Sequence, residues 1–147
     1  MSAWYCLHGT VRVRASPVVD AIIAKIRAHC DRDFAVNLVS VDSETGEFSM
    51  EGAGEFAAGG ALLLDELIAS LGPHALEPAV LTGMYESEPC ELVVAPTEQA
   101  ARVALSRHRL EQIKPFLREL VVDDRKLLVE QLTTGQLHRL PRRTIRH

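Results

Sequence analysis

Hydrophobic and polar residues alternate along the first part of the chain, from Trp4 to Arg14. The apolar positions of this stretch are Tyr5, Leu7, Val11 and Val13. The alternate positions, most of them polar, are Trp4, Cys6, His8, Thr10, Arg12 and Arg14. Because successive side chains of a strand point to opposite faces of a sheet, this period of two predicts a half-buried strand.

A helix is predicted directly after this strand. Ser16 is a suitable N-cap, and Pro17 follows at the first helical position, where a missing N–H costs nothing. Apolar residues then recur at helical spacing, which indicates one buried helical face. They are Val19, Ile22, Ile23, Ile26 and Cys30.

The next elements form two strand pairs with a helix between them. Apolar and β-branched residues predict strands, the polar stretch 42–46 predicts a hairpin loop, and Ser87-Glu88-Pro89 predicts a turn. The predicted elements are strands at 34–41 and 47–51, a helix at 60–71, and strands at 79–86 and 90–95.

The predicted helix at 60–71 has an apolar face and a short acidic face. We expect Asp65 and Glu66 to point to solvent. The residues expected to point inward are Leu63, Leu64, Leu67, Ile68 and Leu71. Gly72-Pro73 is expected to end the helix.

This order of elements predicts an α+β fold. The order is strand, helix, strand, strand, helix, strand, with one added strand. This order matches the ferredoxin-like βαββαβ(β) pattern of an antiparallel sheet. Both helices would then pack on one face of the sheet and leave the other face for water or a partner.

The sequence changes character after Pro96. Thr97 is expected to cap a helix over 98–114, and Pro115 is expected to break or kink it. One or two short helices could follow to about residue 132, although 126–129 could instead pair as a strand. We therefore divide the chain into an α+β domain at 1–95, a helical extension at 96–134 and a basic mobile tail at 135–147.

Composition fits one ordinary globular domain of 147 residues, 47% of them hydrophobic. No apolar run is long enough to cross a bilayer, and the first residues do not resemble a secretory signal. The three cysteines are scattered, which argues against a disulfide framework and favours a reducing compartment. We therefore expect a cytoplasmic protein that does not associate with membranes.

Charge is distributed unevenly along the chain. Residues 1–95 carry 5 basic and 14 acidic side chains, whereas residues 96–147 carry 11 basic and 6 acidic ones. Such asymmetry is typical of a surface that binds a partner, but the basic segment could equally pack on the acidic one within the chain or across a dimer.

The acidic residues of the strand pairs are the candidate protein-binding site. On one sheet face they would form a negative surface for a basic protein groove, although a solvated face explains such a run equally well. The candidates are Glu44, Glu47, Glu51, Glu55, Glu86, Glu88 and Glu91.

The basic tail offers an alternative, which is nucleic-acid binding through phosphate contacts. The candidate residues are Arg139, Arg142, Arg143 and Arg146. Four charges make a weak site, and the chain has few aromatic residues that could stack on bases.

A second alternative is a nucleotide-binding enzyme that uses a loop from Gly52 to Gly60. Gly52-Ala53-Gly54-Glu55-Phe56-Ala57 satisfies the dinucleotide pattern, but Glu51 and Glu55 would repel a pyrophosphate. Metal-ligand pairs, a nucleophile elbow and a P-loop are missing from the sequence. We therefore expect no catalytic residues, no metal and no cofactor.

Three segments resemble a group of small proteins from actinobacterial genomes and phages. The resemblance is carried by Gly46-Glu47-Phe48 with Glu51-Gly52, by the helix 62–71, and by Gly83-x-Tyr85-Glu86-x-Glu88-x-Cys90-Glu91-Leu92. It covers about a third of the chain and implies a core of β-hairpin, helix and β-hairpin. It implies no activity and no functional residues.

The function expected from these observations is that of a non-enzymatic module that binds another protein. In a phage or mobile element, an acidic protein of this size could inhibit a host nucleic-acid-binding complex such as a CRISPR effector. A homodimer is also possible, because an open sheet leaves an edge or a face to be covered.

Overall fold

The computed structural model describes residues 1–30 and 32–117, together with 126, 127, 129 and 130. Its strands are β1 (Ser2–Arg14), β2 (Phe34–Ser40), β3 (Thr45–Ala57), β4 (Ala79–Tyr85) and β5 (Glu88–Val94). Its helices are α1 (Pro17–His29), α2 (Gly60–Ala69) and α3 (Glu98–Leu117), with a 3₁₀ turn at Gly72–His74.

The five strands form one antiparallel sheet in the order β2-β3-β1-β4-β5. β3 lies between β1 and β2, so these two strands are parallel to each other and are joined by α1, as in a split βαβ unit. The predicted α+β class is confirmed, and the strand order and helix placement match a ferredoxin-like arrangement, with β5 added beside β4.

The main core lies between one face of the sheet and helices α1 and α2. The predicted alternation of β1 is confirmed, because its apolar positions are buried and most of the others are exposed. Ser16 caps α1 as predicted, since its hydroxyl accepts a hydrogen bond from the Val19 N–H at 3.2 Å. The largest core side chains are Tyr5, Leu7, Ile23, Ile26, Phe48, Met50, Leu64, Ile68, Leu71 and Leu81.

The opposite face of the sheet is not wholly free, which corrects the prediction. Helix α3 packs over β4 and β5 on that side. Glu91 of β5 pairs with Thr82 of β4, so its side chain lies on the face opposite the core. Arg109 of α3 donates a hydrogen bond to the Glu91 carboxylate. Leu105 is the buried residue of this contact. The part of this face that α3 leaves uncovered, on β1, β2 and β3, is called the open face below.

Helix α3 also runs further than predicted. It continues through Pro115 to Leu117, so the expected break at Pro115 is wrong. The proline lies in the last turn, where the loss of one backbone hydrogen bond disturbs few later residues. Thr97 caps the helix as expected, since its hydroxyl accepts a hydrogen bond from the Ala100 N–H at 3.1 Å.

The segment after α3 is described at four positions. Lys126, Leu127, Val129 and Glu130 are helical, which agrees with the helical alternative for this stretch. The predicted tail at 135–147 lies outside the described residues. Within the described part, no helix is long and apolar enough to cross a membrane. The three cysteines all lie in the described part, and none of them forms a disulfide.

Asp65 points toward the core, so its predicted exposure is wrong. The Tyr5 hydroxyl donates a hydrogen bond to the Asp65 carboxylate at 2.5 Å. Leu63, which was expected to point inward, is 45% exposed, so that prediction is wrong too. Burial raises the pKa of Asp65 to about 6, although the bond from Tyr5 opposes this shift. Burial and the nearby carboxylate also raise the pKa of Tyr5.

Asp65 should therefore make stability depend on pH. Its pKa is about 6 in the fold against an ordinary 3.8, so the fold favours the protonated acid and loses stability as the pH rises through this interval. Asp65→Asn keeps an acceptor for the Tyr5 hydroxyl without a charge. The difference in free energy of unfolding between Asp65→Asn and wild type should therefore grow by about 2 kcal/mol, in favour of the variant, between about pH 4 and pH 8.

Urea unfolding at several pH values measures this difference. Glu77→Gln is the matched control, because Glu77 is an exposed acidic residue outside α2 and is not among the groups that shift the pKa of Asp65. A relative stability of Asp65→Asn that does not change with pH would show that Asp65 ionises as freely in the fold as in the unfolded chain.

Candidate functional site

Trp4 is the only tryptophan of the chain, and it lies on the open face with 41% of its surface exposed. The sheet register places it between two acidic residues. On one side it pairs with Glu55 of β3. On the other side, the Glu86 N–H donates to the Trp4 carbonyl at 2.8 Å, and the Trp4 N–H donates to the Glu86 carboxylate at 2.9 Å.

The turn between β4 and β5 determines the position of Glu86. Only Glu86 and Ser87 separate the two strands, and Glu86 has a φ of 53°. This left-handed conformation is typical of tight hairpin turns and is uncommon for residues other than glycine. The turn therefore holds the Glu86 carboxylate against the start of β1.

Small and apolar side chains occupy the next row of the same face. Cys6 pairs with Ala53 on one side and with Met84 on the other, and all three are half-buried. One row further along, Glu51 pairs with His8. We call this group the Trp4 patch: an apolar centre of Trp4, Cys6, Ala53 and Met84, bordered by Glu51, Glu55 and Glu86.

The other predicted acidic residues lie elsewhere. Glu47 is further along β3, opposite Arg12, and Glu44 is in the loop between β2 and β3. Glu88 pairs with Tyr85 and so belongs to the face that carries α1 and α2. Of the seven candidates, the structure therefore brings three together around Trp4.

Glu91 is engaged by helix α3. Arg109 donates to one oxygen of its carboxylate through Nε at 3.0 Å and Nη2 at 2.8 Å, and His108 Nε2 lies 3.9 Å from the other oxygen. The side chains of Glu91 and Arg109 are only 21% and 16% exposed. Glu91 thus fastens α3 to the sheet, and it is not one of the residues of the Trp4 patch.

Glu51 and Glu86 have no ion pair with a basic side chain in the part of the chain that the structure describes, and neither has Glu55. Three basic residues of α3, Arg109, Arg102 and Lys114, pair instead with Glu91, Glu98 and Glu111. Within the described residues, no basic side chain therefore neutralises the three carboxylates of the Trp4 patch.

A histidine and a threonine lie next to the patch. Thr82 Oγ1 and His8 Nε2 are 3.0 Å apart, which is the spacing of a hydroxyl and a general base. Such a pair also needs a third group that orients the imidazole. Among residues 1–30 and 32–117, no hydrogen bond joins His8 to a carboxylate. The pair therefore links β1 to β4 on this face of the sheet.

The predicted glycine loop is a strand, so that prediction is wrong. Gly52 and Gly54 lie inside β3 and pair with Leu7 and Tyr5. A Cβ at Gly52 would lie 2.5 Å from the Asp33 carbonyl oxygen and 2.6 Å from Phe34 Cα. Glycine is required there because β2 approaches closely, and a phosphate-binding loop is not formed.

The basic candidates Arg139, Arg142, Arg143 and Arg146 lie outside the described residues. The described part contains no group of three or more His, Cys, Asp or Glu side chains that could hold a metal ion. Sequence reasoning missed Trp4 as a site residue. The available signal was the single tryptophan at a position of β1 that alternation assigns to the polar face.

Comparison with known proteins gives no relative. No family model matches the chain, and neither a curated protein nor a solved structure does.

Proposed function

We propose that this protein is a non-enzymatic binding module whose Trp4 patch docks a basic segment of another protein. The proposal rests on one observation: the only tryptophan is exposed on the open face of the sheet, between two acidic residues, Glu55 and Glu86.

The composition of the patch supports a protein as the partner. Protein interfaces combine an apolar centre with a polar rim, and tryptophan is among the residues that contribute most to their binding energy. Here Trp4, Cys6, Ala53 and Met84 supply the centre, and glutamates supply the rim. A nucleic acid is a poor partner for this surface, because its phosphates would meet the same carboxylates.

The charge of the rim selects a basic partner. Opposite charges accelerate association and exclude acidic competitors, so arginine and lysine side chains should face Glu51, Glu55 and Glu86. Complexes that hold nucleic acid present such basic grooves. Inhibition of one of them in a bacterial host, a CRISPR effector for example, is the specific role that we propose for an acidic module of this kind.

Substitutions in the patch should weaken binding. We expect Trp4→Ala to reduce affinity for the partner at least about tenfold, because an interface anchor is removed. We expect Glu51→Gln with Glu55→Gln to reduce the association rate and the salt dependence of binding. Each variant is immobilised and exposed to a bacterial lysate, and the proteins that it retains are identified by mass spectrometry.

The matched control is Glu66→Gln with Glu77→Gln, which changes the net charge equally at two exposed acidic residues outside the patch. A protein retained by wild type and by this control, but lost from both patch variants, would support the proposal. If every retained protein survives Trp4→Ala and the Glu51/Glu55 change, the patch is not the docking site.

A further inference from the structure

The two edges of the sheet differ in how they are protected against pairing with another chain. Edge strands usually carry prolines or charges that prevent such pairing. β5 follows this rule, since it contains Pro89 and two glutamates. β2, with the sequence Phe-Ala-Val-Asn-Leu-Val-Ser, contains neither a proline nor a charge, and its Val39 is 61% exposed.

The hydrogen-bonding pattern identifies which backbone groups of β2 point away from β3. The Val41 N–H donates to the Thr45 carbonyl at 3.0 Å, which begins the ladder with β3. Hydrogen-bonded and non-hydrogen-bonded residues alternate along an antiparallel ladder, so the backbone groups of Val39, Asn37 and Ala35 bond to β3. The backbone groups of the intervening residues therefore point away from the sheet. They belong to Phe34, Val36, Leu38 and Ser40.

A hydrogen bond from helix α1 to β2 agrees with this alternation. Arg27 Nε donates to the Val36 carbonyl at 3.2 Å, so that carbonyl does point outward. Arg27 is exposed and its bond is at the long end of the usual range, so a backbone donor can replace it. The proline of β5 is at an outward position of its own strand, where it removes a donor from that edge.

We infer that β2 pairs with β2 of a second copy of this chain, antiparallel about a two-fold axis at Asn37, and that the dimer has one continuous sheet. In this register Val36 faces Leu38 of the second copy, and Phe34 faces its Ser40. These residues are the ones whose backbone groups point outward. The strand is thus complementary to itself in donors, acceptors and side-chain size.

The register also matches the two faces of the sheet. Val36 and Leu38 are half-buried next to the core, and pairing would cover them further. On the open face, Ala35 would lie beside Val39 of the second copy. Because β5 carries proline and charge, the assembly ends at two chains and does not extend into a fibre.

Asn37 provides the test, because the two-fold axis places it opposite itself. Asn37 is exposed, so Asn37→Lys leaves the fold intact but puts two like charges side by side, which should weaken dimerisation at least about tenfold. An equimolar mixture of Asn37→Lys and Asn37→Asp chains should pair again. Thr10→Lys, an exposed position of an interior strand, is the matched control.

Sedimentation velocity over a series of concentrations measures the association of the full chain. The expected result is twice the monomer mass of 16.2 kDa for wild type and Thr10→Lys, the monomer mass for Asn37→Lys, and a recovered dimer for the mixture. A wild type that stays monomeric up to its solubility limit overturns the inference. A dimer that Asn37→Lys leaves unchanged overturns it too.

Discussion

Gly83→Ala should lower the free energy of unfolding by at least about 3 kcal/mol, or prevent folding altogether. Gly83 of β4 pairs with Leu7 of β1, and a Cβ at this position would overlap the carbonyl oxygen of Cys6. That oxygen belongs to the backbone of the central strand and cannot rotate away. The two strands would have to separate, which breaks the ladder that holds Glu86 beside Trp4.

Gly46→Ala is the matched control for this substitution. Its Cβ would meet the end of the Leu38 side chain at 3.1 Å and the Val39 carbonyl at 3.3 Å, and the side chain can move by the small amount required. Urea unfolding followed by circular dichroism compares the two variants. Equal losses of stability would mean that β4 is not packed against β1 as closely as described.

Removal of Arg109 should weaken the docking of α3 on the sheet by about 2 kcal/mol. Arg109→Met leaves the Glu91 carboxylate mostly buried without its cation, and a desolvated charge without a partner is costly. Glu91→Gln in the same chain should recover part of the loss. A double-mutant cycle, read by hydrogen exchange in α3, should give a coupling energy above about 1 kcal/mol.

The same helix contains a suitable control pair. Arg102 bonds to Glu98 at 2.7 Å, but both side chains are more than half exposed, so their coupling should be at most about 0.5 kcal/mol. Equal coupling in the two pairs would contradict the conclusion that Glu91 fastens α3 to the sheet.

The sequence predicts the local elements well, because their signals are local. Alternation around Tyr5 and Leu7 defines β1, and Ser16-Pro17 defines the start of α1. Gly52 and Gly54 interrupt the alternation of β3 and are typical of a loop, so the predicted strand ends at residue 51, before the observed end at Ala57. Gly52 is required by the close approach of β2, which the sequence of β3 alone does not reveal.

The candidate site is less predictable because it depends on contacts between distant segments. Glu55 and Glu86 look alike in the sequence, and so does Glu91, yet strand register brings two of them to Trp4 and α3 covers the third. The apolar stripe of α3 is too weak to indicate which face of the sheet it covers. The predicted exposure of Asp65 is wrong because apolar residues nearly surround α2, so the sequence does not show which side of the helix faces solvent.

The fluorescence of Trp4 tests the central claim most directly, because no other tryptophan contributes to the signal. Nona-arginine, which has no tryptophan, serves as the basic probe of the full chain. The account predicts a saturable change in emission and reduced quenching by acrylamide, both lost in Glu51→Gln with Glu55→Gln and kept in Glu66→Gln with Glu77→Gln. Binding detected by calorimetry without any change at Trp4 would contradict it.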